Sequence, residues 1–144
     1  MSGPGPIPVD RRTFLLIAVG GAVGAVVRTL VTEHAPRAPG RLPVPTLAVN
    51  LVGALLLGVL MGHVSRRAED RWRRPLLAVG LLGGLTTFST LCVDAARLTA
   101  SGATGTALIE LTISLIGGIA AVAVGVAIAS IGHGGHHLAD EGES

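Results

Sequence analysis

The sequence predicts an all-α integral membrane protein with four transmembrane helices. Three observations point there. The 144-residue chain is 49% hydrophobic and only 14% charged, where a soluble domain carries about 25% charge, and its mean hydropathy is +0.66. The apolar residues gather in uncharged runs: Leu42 to Ser65, Pro75 to Val93, Leu111 to Leu138, and Phe14 to Val27 closed by Arg28. Aromatics are scarce, with two Phe, one Trp and no Tyr, so the usual interfacial belts are missing. Four spans of about 20 residues each take over half of the chain and exclude a large soluble domain.

Each element follows in order. Residues 1–12 are rich in Pro and Gly and predict a disordered tail. Helix 1 runs from Thr13 to Thr32, and a loop with four prolines follows from Glu33 to Pro45. Helix 2 covers Thr46 to Val64, and Ser65 to Arg74 is a charged turn. Helix 3 spans Pro75 to Leu98, Ser101 to Gly105 is a short loop, and helix 4 covers Thr106 to Ile131. The domain reading is therefore a tail over 1–12, a membrane domain over 13–131 and a polar tail over 132–144. RRTFLL before an apolar stretch resembles an export signal. Three further hydrophobic segments, and Arg28 within the first, favour a retained helix.

The chain has no Lys, and its 11 basic residues are all Arg. Alternating helices put Arg11, Arg12, Arg66, Arg67, Arg71, Arg73 and Arg74 on one side. Arg37, Arg41 and Arg97 lie on the other, with Arg28 near that end. The bias predicts both termini in the cytoplasm. The arginines flank membrane segments and form no basic groove with interleaved aromatics, so nucleic acid is not an expected partner. Gly20, Gly24 and Arg28 share a face of helix 1, and Gly58 and Gly62 share one on helix 2. Gly117, Ala121, Gly125 and Ala129 do so on helix 4. Such faces let membrane helices pack closely. Four helices enclose little space, so a pathway calls for a second subunit.

No enzyme constellation stands out. Cys92 has no activating base in a helix core, and a single Cys excludes an intrachain disulfide. His133, His136, His137, Asp140 and Glu141 match no closed metal site and read as a solvated tail. Polar residues within the helices carry more information, because they are costly in lipid. They are Arg28; Thr46 and Asn50, one turn apart; Gly83-Gly84-Leu85-Thr86-Thr87-Phe88-Ser89-Thr90; and Glu110, Thr112 and Ser114. Two glycines followed by four hydroxyl residues around Phe88 weaken helix 3, which predicts a break near its middle. Backbone carbonyls at such a break suit a hard cation such as Na⁺; a hydroxyl-satisfied kink is the plainer alternative.

These residues resemble the Fluc (CrcB-type) fluoride channels. GGAVGAVVR is similar to the family's G-x-x-G-A-x-x-R pattern and ends at Arg28. PTLAVNLVGALLLG is similar to T-L-x-V-N-x-x-G and supplies Thr46, Asn50 and Gly53. GGLTTFST is the most specific match. Asp94 stands where the family commonly has an acid, and Ser114 and Gly118 fit its helix 4 loosely. The resemblance spans Thr13 to Ile131. It implies an antiparallel, dual-topology dimer with two pores, in a bacterial plasma membrane.

By that resemblance, carbonyls of Gly83 and Thr86 from both subunits hold a structural Na⁺. Asn50 donates N–H to fluoride, and Phe88 lines the pathway. Ser114, Thr87, Thr90 and Thr46 extend a polar track, while Arg28 and Asp94 serve a vestibule or anchor helix ends. The chemistry is consistent, since a pore must replace fluoride's water with donors. Asn offers two N–H groups and each hydroxyl one O–H, and the edge of a Phe ring is positive.

The implied function is passive export of cytoplasmic fluoride, with fluoride and the bilayer as partners. Two departures stand out. Leu91 replaces the family's second Phe, and Glu110 stands where a Tyr is usual. With the one-sided Arg bias, they suit a chain that pairs with a related second subunit; the expected assembly is a homodimer or a heterodimer with such a subunit. Two alternatives stand beside it. One is a small proton-coupled multidrug-type exporter, against which helix 1 lacks the needed carboxylate. The other is a non-conducting partner subunit. No nucleotide-binding motif is present.

Overall fold

A computed structural model describes residues 10–34, 39–64 and 72–131. The described residues form an all-helical chain with four stretches long and apolar enough to cross a membrane: Arg11–Glu33, Val44–His63, Arg74–Ala100 and Thr104–Ile131. The Pro/Gly tail, the Arg66, Arg67 and Arg71 part of the charged turn, and the His-containing tail lie outside the described residues.

Helix α1 (Arg11–Glu33) begins earlier than the sequence suggests. Asp10 caps it, its carboxylate accepting the Thr13 N–H at 2.8 Å, which satisfies one of the orphan amides of the first turn. Arg11 and Arg12 are thus helical, where the sequence reading placed them before the first helix. The same helix runs to Glu33, so Arg28 lies inside it rather than at its end. Helix α2 (Val44–Val64) also starts early. Pro45 falls in its first turn, where a missing N–H costs nothing. Helix α3 (Arg74–Leu82) is wound with π turns and continues through Gly83–Leu85.

Helix α4 (Phe88–Ala100) completes the third stretch. It ends where Gly102 takes φ +81°, a conformation open to glycine. Helix α5 (Thr104–Thr112) passes through a π turn at Ile113–Gly117 into α6 (Gly118–Ile131).

Two glycine seams hold the bundle together, and they dominate its packing. On the first, α1 lies against α3. A Cβ on Gly20 would stand 2.8 Å from the Leu81 nitrogen, and one on Gly80 would stand 2.8 Å from the Ile17 oxygen. On the second, α2 lies against α6. A Cβ on Gly125 would stand 2.7 Å from the Val59 nitrogen, and one on Gly58 would collide with the Val122 carbonyl. Backbones come this close only where side chains are absent, and the gain is van der Waals contact. The small faces read from the sequence are therefore the seams. Outside them, large apolar side chains such as Val23, Leu115 and Ile119 are exposed. Such surface suits lipid or another subunit.

Candidate functional site

Several polar residues of the spans meet around Thr86 and Thr87 of the third span. Thr86 has ψ +145° and Thr87 has φ −148°, ψ +123°, so both are extended between the Gly83–Leu85 turn and α4. Extended backbone inside an apolar span needs partners for its amides and carbonyls. Asn50 of α2 supplies two. Its Oδ1 accepts the Thr87 N–H at 2.9 Å, and its Nδ2 donates to the Thr87 carbonyl at 3.2 Å. In a continuous helix the Thr87 N–H would reach the Gly83 carbonyl; here it is diverted.

Thr87 is also the cap of α4. Its Oγ1 accepts the Thr90 N–H at 3.2 Å and lies 3.0 Å from Ser89 Oγ and 3.3 Å from Thr90 Oγ1. Three hydroxyls are thereby gathered in one turn. Ser89 belongs to this cluster, although the sequence reading named it only within the Gly83–Thr90 segment and gave it no place in the pathway. Its signal was the spacing of hydroxyls behind a capping Thr. On the upstream side, Thr86 Oγ1 donates to the Leu82 carbonyl at 2.9 Å, and Arg28 donates to the Gly84 carbonyl at 3.0 Å. Arg28 thus ties α1 to the last turn before the extended pair.

Thr46, one turn before Asn50, is buried and donates to Asp94 Oδ2 at 2.8 Å. Asp94 is buried too, and the exposed Arg97 guanidinium lies 3.9 Å from its other oxygen. This pair floors a cleft of about 540 Å³ lined also by Thr32, Arg41 and Ser101. The cleft lies where α2 begins and α4 ends. Phe88 is 76% exposed, so the described residues leave most of its ring uncovered. Gly83 is exposed and Thr86 half-buried. Ser114 stands apart from the Thr87 cluster, on the fourth span, with its hydroxyl buried and unpartnered. Among the described residues, no group of three His, Cys, Asp or Glu side chains is placed to hold a metal ion.

Fold and site together define a small multi-pass membrane protein whose polar groups gather on and around its third span. A profile for the family described as CrcB-like protein, Camphor Resistance (CrcB), matches residues 15–126. The chain is 39% identical over 131 residues to Fluoride-specific ion channel FluC 2 of Nocardia farcinica, covering 90% of this chain and 94% of that protein. It is 44% identical over 115 residues to Fluoride-specific ion channel FluC of Agrobacterium fabrum, covering 78% and 92%. A third relative, FluC 1 of Mycobacterium bovis, is 40% identical over 114 residues, covering 78% and 86%. The chain belongs to the CrcB family of fluoride-specific ion channels. It is a multi-pass protein of the bacterial plasma membrane, and its family is one of channels, not of enzymes.

Proposed function

We propose that this chain is a fluoride-selective channel subunit that lets cytoplasmic fluoride leave down its gradient, as one half of an antiparallel dimer. One observation carries the reading: Asn50 clamps the extended Thr87 in the middle of an apolar span. Asn50 spends one Nδ2 hydrogen on Thr87, and the amide has two, so a donor remains for an anion. The hydroxyls of Thr87, Ser89 and Thr90 continue the donor set, and Ser114 adds one from the fourth span. Phe88 offers a ring edge from the exposed face, where a second subunit completes the path. The cleft above Asp94 is the entrance, with Arg41 and Arg97 at its rim raising local anion concentration. Thr46 and Arg97 offset the Asp94 charge there.

The same clamp supports a central Na⁺. With the Thr87 N–H given to Asn50 and the Thr90 N–H given to Thr87 Oγ1, the carbonyls of Gly83 and Thr86 are released from their helical donors. Carbonyl oxygen is a fitting ligand for a hard cation, and Gly83 is exposed. Two carbonyls are too few for Na⁺, and a second copy brings two more, so metal and dimer go together. Held by the Gly83 and Thr86 carbonyls of both subunits, a Na⁺ would supply fixed positive charge between the two third spans. The second subunit is this chain or a related one of opposite orientation. The one-sided arginines, which favour a single orientation, support the related partner.

The test is fluoride efflux from liposomes, followed with a fluoride electrode, for the chain alone and for Asn50→Ser and Phe88→Ile. Efflux from the wild type, alone or joined by a related partner subunit, with strong loss in both variants is expected. Flux that survives both substitutions would remove the proposed pathway. Robust flux from the single purified chain would remove an obligate pair.

A further inference from the structure

The seam between α1 and α3 is parallel. Gly20 stands beside Gly80 and against the Leu81 nitrogen, and Gly24, one turn on, stands against the Leu85 nitrogen. Both helices therefore begin at the same end. Roughly two turns back from Gly20, this register brings Arg11 and Arg12 to the level where α3 begins beside Arg73 and Arg74. All four side chains are exposed. Of the acids among the described residues, Asp10 is the one at this end, and one of its oxygens caps α1 through the Thr13 N–H. The charged turn that leads into α3 adds Arg66, Arg67 and Arg71 against Glu69 and Asp70 in the sequence.

Packing forces this gathering of charge. The seam is closed by backbone contacts, so the helix starts cannot splay to separate their arginines. Like charges held together this way repel, and an anion set among them offsets the cost. The neighbouring apolar groups say which anion. Phe14, in the first turn of α1, is 64% exposed, and Trp72, just before α3, is 44% exposed. Two of the chain's three aromatics thus stand at the level of the arginines, as residues at a membrane–water boundary do. The Arg73 guanidinium lies 5.4 Å from the centre of the Trp72 ring. Stacking uses the face of a guanidinium, whereas phosphate is recognised by its edge.

We propose that the start of the α1–α3 seam binds the phosphate of an anionic phospholipid, with Arg11 and Arg12 on one side and Arg73 and Arg74 on the other. Phe14 and Trp72 lie against the glycerol and the upper acyl chains. The one-sided arginines place this end in the cytoplasmic leaflet, where such basic clusters meet anionic lipid. The headgroup joins the first and third spans, which the sequence holds far apart, and favours one orientation of the chain. The site is independent of the channel reading.

Thermal unfolding of the full chain in dodecyl maltoside micelles, followed by circular dichroism, tests the proposal. Phosphatidylglycerol should raise the melting temperature in a saturable way, while phosphatidylcholine and inorganic phosphate should not. An arginine at a membrane surface is worth about fivefold in affinity for anionic lipid. Arg11→Gln/Arg12→Gln and Arg73→Gln/Arg74→Gln should therefore each raise the half-saturating phosphatidylglycerol concentration roughly thirtyfold. Each affinity is read against that variant's own lipid-free melting temperature, so a change in basal stability does not mask it. Equal stabilisation by phosphatidylcholine, or stabilisation by inorganic phosphate alone, overturns the lipid site. Wild-type affinity in either double variant overturns the idea that both helices share one headgroup.

Discussion

Replacing Asn50 with Ala removes both hydrogen bonds to the Thr87 backbone and leaves an extended N–H and C=O facing a methyl group. An unsatisfied buried backbone group costs about 1–3 kcal/mol. Two such groups would cost about 2–6 kcal/mol if nothing relaxed. Membrane interiors soften the figure, since hydrogen bonds between spans average about 0.6 kcal/mol where freed groups find new partners. The floor for two bonds is therefore about 1 kcal/mol. Thr87 has little chance of repair, because its hydroxyl is already engaged with Ser89 and Thr90, so about 3 kcal/mol is expected. That is roughly a hundredfold in the folding equilibrium. Unfolding by SDS titration in mixed micelles measures it. Asn50→Asp discriminates further: it keeps an acceptor for the Thr87 N–H but sets an oxygen against the Thr87 carbonyl. It should be at least as unstable as the alanine variant. An Asn50→Ala protein with wild-type stability would refute the idea that Asn50 holds the extended residues in place.

Further outcomes follow from packing and burial. Gly24→Val places side-chain atoms into the Leu81 carbonyl, with a Cβ 2.8 Å from the Leu85 nitrogen. Backbone cannot yield as a side chain can, so a loss of about 3 kcal/mol or more is expected in the same titration. Gly105→Ala, which meets open space, should be neutral or slightly stabilising. Thr46→Val strips Asp94 of its buried donor, which should cost about 1–3 kcal/mol. Asp94→Asn in the same background should recover part of that loss, because it removes the charge that needed the donor.

Much of the scaffold could be read from residues alone, for identifiable reasons. A lipid span needs about 20 apolar residues, so the four runs announced themselves. Gly20, Gly24, Gly58 and Gly125 announced the seams because a missing side chain has one main use on a membrane helix. The ends were less legible. Asp10 was a capping residue hidden in a Pro-rich stretch, and Pro45 looked like a loop residue although the first turn tolerates it. At the site, the polar types were visible but their partners were not. Thr46 and Asn50 sit one turn apart, yet Thr46 reaches Asp94 and Asn50 reaches Thr87. No spacing rule links residues 37 and 48 positions apart. Glu110 was conspicuous by type, while its complete enclosure depends on how α4 and α5 fold back on each other.

The two glycine seams have a mechanical consequence. Each joins its helices backbone to backbone, so α1 with α3 and α2 with α6 behave as two stiff slabs. Between the slabs the contacts are few. The second slab reaches across through Asn50, which grips the strand-like link leaving α3, and through Thr46, which holds α4. Arg28 steadies the same link from the first slab. A change in bilayer thickness or lateral pressure that slides one slab past the other cannot be absorbed within the seams. It arrives instead at these few polar rivets, where fluoride is proposed to pass.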